Sequence, residues 1–287
     1  MKHLSRIYTL LIFIFLYAPI AVMILISFNS SASTYVFSGF SLQWYKMLFH
    51  DADSMAALRN TLILAVLSSV IATIIGTLAA IGLKSYRNKY LKSGIMLITN
   101  IPMMNPDIVT GVSMMLMFAF VGGLIGSRSS LGFGTLLIAH ITFNIPYVIL
   151  SVQPKIRQMD RHLSEAAMDL GCTPFQTFLK VELPSIMPGV LSGLITAFTL
   201  SLDDFVISYF TIGSSFETLP IHIYTMTKKT VRPDMFALST IIFVAVFVLL
   251  VLSNILKMDD DEKKRRAIKK QLKKAAKAAK AAKKAVQ

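Results

Sequence analysis

Residues 189–212, GVLSGLITAFTLSLDDFVISYFTI, run for 24 residues without one basic side chain, yet carry two adjacent acids, Asp203 and Asp204. About 20 mostly apolar residues in a helix cross the hydrocarbon core of a bilayer, so this stretch reads as a membrane span. A carboxylate at the centre of such a helix costs roughly 2.5–3.5 kcal/mol on insertion scales. Asp203 and Asp204 therefore require a partner or a polar path.

The rest of the chain agrees with a lipid setting. Hydrophobic residues make up 54% of the 287 and charged residues only 15%, against roughly 25% in soluble domains. Five further apolar segments have spanning length, at about residues 7–28, 58–83, 94–121, 131–151 and 235–256. The expected fold class is thus an all-α membrane protein with six transmembrane helices. The first segment has the basic start of a signal peptide, but its apolar core is too long, and it reads as an uncleaved helix.

Lys and Arg fall unevenly between the spans. The N-terminus, the loops after the second and fourth spans and the C-terminal tail hold 23 of the 29, and the opposite loops hold 6. By the positive-inside rule both termini are cytoplasmic. The formal net charge of +14 is no nucleic-acid signal, because residues 257–287 alone contribute 13 basic and 4 acidic side chains. We read residues 1–256 as the membrane domain and 257–287 as a basic, low-complexity cytoplasmic tail, solvated and partly helical or lying against anionic headgroups. A single cysteine, Cys172, excludes an intramolecular disulfide.

The cytoplasmic loop at about 152–188 is punctuated as two short helices. Ser164 is placed to cap the first, Gly171 to end it, and Thr173 to cap the second, with Pro174 at its first position and Gln176 completing a capping box. Leu163, Ala166, Ala167 and Leu170 share one face, and Phe175, Phe178 and Leu179 project from the second helix. Apart from docking, such a hairpin could simply lie in the membrane interface.

At these residues the chain resembles a known family. EAAMDLGCTPFQTFLKVELP, residues 165–184, is similar to the EAA signature of the permease subunits of bacterial ABC importers, with Val181 where Ile is commoner. The resemblance implies a type I importer permease fold, a multi-pass place in the bacterial inner membrane, and a coupling element in which Glu165, Ala166, Ala167, Gly171, Leu183 and Pro184 meet an ATPase subunit. SLDDFVISYFTIG at 201–213, TLPIHIY at 218–224 and NIPMMNPDIVTGVS at 100–113 further resemble the spermidine and putrescine permeases. The partners this implies are a second homologous permease, an ATPase dimer, an extracytoplasmic polyamine-binding protein and membrane lipid, with no nucleic acid.

No phosphate-binding G-x-x-x-x-G-K-[ST] loop and no metal or nucleophile motif occurs in the sequence. The chain is therefore expected to be no enzyme and to carry no cofactor or metal; ATP and Mg belong to the partner ATPase. The expected substrate pathway comprises Asp203, Asp204, Asp107, Tyr209, Trp44 and Tyr147. Ser192, Thr196, Thr199 and Asp203 form one polar stripe, and Ser201, Asp204, Ser208 and Thr211 a neighbouring one. Asn105-Pro106 interrupts the third span and leaves Asp107 near the break, which would otherwise be a structural kink. Trp44 and Tyr45 have an aromatic-belt alternative, His140 and Asn144 are read first as interhelical hydrogen bonders, and Glu217 as an entrance acid.

Fixed carboxylates among aromatic rings suit separated ammonium groups on an apolar stem, which points to a protonated polyamine, with Asp203 and Asp204 meeting a partner across a shared interface. The rival readings are an ABC permease for another small solute and, from another class, an ion-coupled secondary transporter that needs no ATPase.

Overall fold

The structure, a computed structural model, describes residues 2–31, 36–86, 88–126, 131–213, 216–229 and 233–251. The tail expected at 257–287 lies outside the described residues. Among those described, the chain is helical, with a single β-bridge between Asn29 and Phe40.

In chain order the helices are α1 (Lys2–Ser27), α2 (Gln43–His50), α3 (Ala52–Ser85), α4 (Lys89–Met104), α5 (Asp107–Ile125), α6 (Phe133–Gln158), α7 (Arg161–Asp169) and α8 (Pro174–Thr177). A π-helical turn (Phe178–Glu182) leads into α9 (Leu183–Asp203), followed by α10 (Val206–Thr211) and α11 (Leu219–Lys229). The last described helix, α12, is Pro233–Val251. Six helical stretches are long and apolar enough to cross a bilayer.

The core is the α3–α6–α9 trio. Small and hydroxylated residues (Ala57, Thr61, Ala65, Ser68, Ala72) recur along the buried stripe of α3, and glycines bring the backbones together. A Cβ on Gly76 would lie 2.8 Å from Val148, and one on Gly189 3.0 Å from the Ser151 carbonyl oxygen. Because lipid tails are as apolar as leucine, close backbone packing through small residues is what holds membrane helices together. Ala80, Leu83, Val148, Val152, Ile156 and Ile186 fill one end of this core. α1, by contrast, exposes its apolar side chains almost all round, with Phe15 at 81%.

Two expected spans are broken. Residues 94–121 are not one helix: α4 ends at Met104, Asn105 and Pro106 are extended, and α5 starts at Asp107. Proline before the break removes a ladder donor and disfavours helix at the residue ahead of it. Residues 189–212 are also discontinuous, since α9 stops at Asp203 and Asp204 is extended. The two acids thus lie at a break rather than inside a helix.

The loop expected to hold two short helices also differs. α7 begins at Arg161, capped by Asp160 accepting from the His162 amide at 3.0 Å, so Ser164 is inside the helix and not its cap. Gly171 ends it in the left-handed region at φ +87°. The Gly171 amide donates to Met168 O at 2.9 Å and the Cys172 amide to Ala167 O at 3.1 Å, a Schellman closure. Thr173 and Gln176 form the capping box, at 3.3 and 3.1 Å. The second helix does not end, however: it runs through the π-turn into α9, making one helical rod of 30 residues, Pro174–Asp203, about 45 Å long.

Candidate functional site

α6 is the common ruler of the site. Asp107, in the exposed first turn of α5, lies within electrostatic reach of the Tyr147 hydroxyl. One turn earlier Asn144 donates to Ser201 Oγ at 2.7 Å, and Ser201 meets Ser68 Oγ at 2.9 Å. A further turn back, His140 Nε2 is 3.0 Å from Ser208 Oγ and 3.4 Å from Asp204 Oδ2. The breaks before α5 and after α9 therefore face the same two turns of α6. Discontinuous helices beside one another are how helical membrane proteins expose backbone charge to a ligand.

The adjacent acids divide at the break. Asp204 caps α10: its carboxylate accepts from the Ile207 amide at 3.3 Å, and from the Ser208 amide at 2.8 Å and hydroxyl at 2.9 Å. With His140 on its other side, its carboxylate has partners on both sides within the chain. Asp203 has the opposite setting. It is exposed at the C-terminal end of α9, where unpaired carbonyls give the helix its negative pole. Carboxylate and helix end add rather than cancel, and a cation is what would compensate them.

The two polar stripes separate in the same way. Ser201, Ser208 and Thr211 are buried, and the first two bond to α3 and α6. Thr196 and Thr199 return their hydroxyls to Ser192 O and Ile195 O of their own helix, both at 2.8 Å.

Aromatic rings line the exit from the break. Tyr209, 48% exposed, sits 5.5 Å from Phe205, 5.5 Å from Phe210 and 6.1 Å from Tyr224 between centroids. Phe210 closes on α5 at Gly111, where a Cβ would come within 3.0 Å of its ring. Lys228 Nζ lies 4.6 Å from the centroid of Tyr224, and its hydrogen bond with that phenol holds its pKa above the ordinary lysine value. An ammonium on an aromatic face is already part of this structure.

The remaining expected residues fall elsewhere. Trp44 donates to Asn29 O at 2.6 Å and Tyr45 pairs with Ser27 Oγ at 2.8 Å, so both fasten α2 to the end of α1. Glu217 faces His222 Nδ1 at 3.4 Å, and His222 Nε2 is 3.1 Å from Ser54 Oγ, a tie between α11 and α3. In the loop, Glu165, Ala166, Gly171 and Pro184 are exposed, with Leu163, Leu170 and Phe175 around them. Ala167 is buried, and the partly buried Leu183 packs on the core. Glu182, not singled out in sequence, accepts from Lys84 Nζ at 2.9 Å and Ser164 Oγ at 2.8 Å, joining α3 and α7 to the start of the rod.

Six apolar helices, two acid-bearing breaks and an exposed loop at the foot of the α9 rod define a membrane transport subunit. The family described as "Binding-protein-dependent transport system inner membrane component" matches residues 72–257, and the chain belongs to it. It is a permease component of the inner membrane, and ATP hydrolysis lies in a separate subunit. Among its relatives, "Spermidine/putrescine transport system permease protein PotC" of Escherichia coli (strain K12) is 39% identical over 250 residues, 86% of this chain and 91% of the relative. "Putrescine transport system permease protein PotI" of the same organism is 39% identical over 237 residues, 83% and 84% of the two chains. A solved bacterial ABC transporter that imports the acidic polysaccharide alginate shares the fold, with TM-score 0.69 over 90% of this chain and 95% of that one at 16% identity.

Proposed function

We propose that the chain conducts protonated polyamines inward as half of an ATP-driven importer, and that Asp203 is the carboxylate that meets the cargo. The observation that carries this is the division at residues 203 and 204: one acid is consumed in capping α10, and its neighbour is left exposed on the negative end of α9. Asp107 adds a second exposed acid at the facing break, and Tyr209 and Tyr147 supply aromatic faces. Separated acids with rings between them match ammonium groups spaced along an apolar chain. A few exposed acids also release what they bind, as conduction requires.

The names of the relatives support the same cargo. A second permease would complete the path, a polyamine-binding protein would deliver substrate outside, and two ATPase subunits holding ATP and Mg would work from the cytoplasm. Both termini lie on the cytoplasmic side in this reading, as the basic residues indicate. Glu165, Ala166, Gly171 and the apolar residues beside them meet the ATPase. The continuous rod from Pro174 to Asp203 then converts movement of that loop into movement of the cargo acid.

The test is uptake of labelled spermidine into proteoliposomes holding the chain, its partner permease, the ATPase and the binding protein. The expected result is accumulation that requires ATP and is competed by putrescine but not by an anionic sugar. Uptake without ATP, or none with the complex hydrolysing ATP, would overturn the reading.

A further inference from the structure

A cluster of positive charge lies away from the cargo path. The ends of α3, α4 and α6 enclose a cavity of about 90 Å³ lined by Lys84, Lys92, Arg157 and Gln153, with Leu83 and Ile156 in its wall. Three cations around one opening repel each other unless an anion joins them. Only Lys84 has a carboxylate partner, Glu182 at 2.9 Å; Lys92 and Arg157 make no ion pair among the described residues.

The surroundings favour an amphiphile over a free ion. Half of the wall is apolar, and α4 continues from the opening with Leu91, Leu97 and Ile98 exposed at 50%, 70% and 66%. A cationic mouth with an exposed aliphatic lane beside it matches a headgroup phosphate and its acyl chain, and basic pockets between the cytoplasmic ends of membrane helices are suited to such headgroups. We propose that this cavity binds the phosphate of an anionic phospholipid of the cytoplasmic leaflet. The proposal rests on the orientation given above but not on the identity of the cargo. Lys84 connects the lipid to the coupling loop, because the Glu182 carboxylate it holds also accepts from Ser164 of α7.

The test is native mass spectrometry of the delipidated complex of this chain with its partner permease and ATPase, titrated with phosphatidylglycerol or phosphatidylcholine. Wild type is expected to retain one more phosphatidylglycerol than a Lys92→Gln/Arg157→Gln variant. That site should be weaker in the variant by about tenfold or more, with phosphatidylcholine unaffected. A charge-preserving Lys92→Arg/Arg157→Lys variant should bind as wild type does, which separates loss of charge from misfolding. Equal retention by wild type and the Gln variant overturns the proposal. So does displacement of the lipid by millimolar inorganic phosphate, which would make the cavity a site for free phosphate. Neither readout depends on spermidine uptake, so this inference and the cargo reading fail separately.

Discussion

Asp203 and Asp204 are chemically identical neighbours that meet opposite poles of two helices. At the start of α10 the carboxylate of Asp204 is repaid by two amides, a hydroxyl and His140. At the end of α9 the exposed carboxylate of Asp203 lies at the negative pole of the helix and opposes its dipole. Asp204→Asn is therefore expected to cost about 1–3 kcal/mol, lowering the unfolding midpoint of the purified complex. Asp203→Asn should leave stability within about 0.5 kcal/mol of wild type, with little change in that midpoint. Sequence reading marked both acids as needing an explanation but could not rank them. What ranks them is His140, some sixty residues away in sequence, and the extended backbone of Asp204.

The end of α7 and the start of α8 were legible because their signals are local: Gly171, Thr173, Pro174 and Gln176 act within one turn of themselves, whereas the start of α7 at Asp160 was misplaced to Ser164. Breaks that depend on distant partners were not. Apolar runs of the right length hide the end of α9, since no Gly or Pro marks it, whereas Asn105-Pro106 announced the break between α4 and α5. Gly171 has φ +87° with open space around its Cβ position, so the constraint there is backbone alone. Gly171→Val should cost about 1–2 kcal/mol at that bend and lower spermidine moved per ATP, while Gly171→Asn, which tolerates this conformation, should not. Gly76 presents the opposite case, with Val148 at 2.8 Å from its would-be Cβ. Gly76→Val should destabilise the α3–α6 contact by about 1–3 kcal/mol, read as reduced yield of assembled complex.

Across the whole molecule, the six crossings leave α1 exposed all round and α3, α6 and α9 as a shared core, with both broken helices gathered against α6. The number of spanning helices was readable from composition, whereas the gathering of the breaks needed the packing of α5 on α10 through Gly111. The half-buried Cys172 offers a direct check of orientation, because it is the chain's one thiol and lies in the coupling loop. A membrane-impermeant thiol reagent should label it only from the cytoplasmic side, and labelling of intact cells or spheroplasts from outside would reverse the topology. In the proposed reading the coupling loop adjoins one end of the Pro174–Asp203 helix and the cargo acid stands at the other, so the ATPase would act at one end and the substrate be felt at the other.

The most direct test of this account compares ATP-dependent spermidine uptake by complexes carrying Asp203→Asn, Asp203→Glu and Asp204→Asn, each normalised to folded complex and to its ATPase rate. The account predicts that Asp203→Asn loses uptake while folding and hydrolysing ATP normally, that Asp203→Glu restores it in part, and that Asp204→Asn transports in proportion to the complex that remains folded. Normal uptake by Asp203→Asn would contradict it.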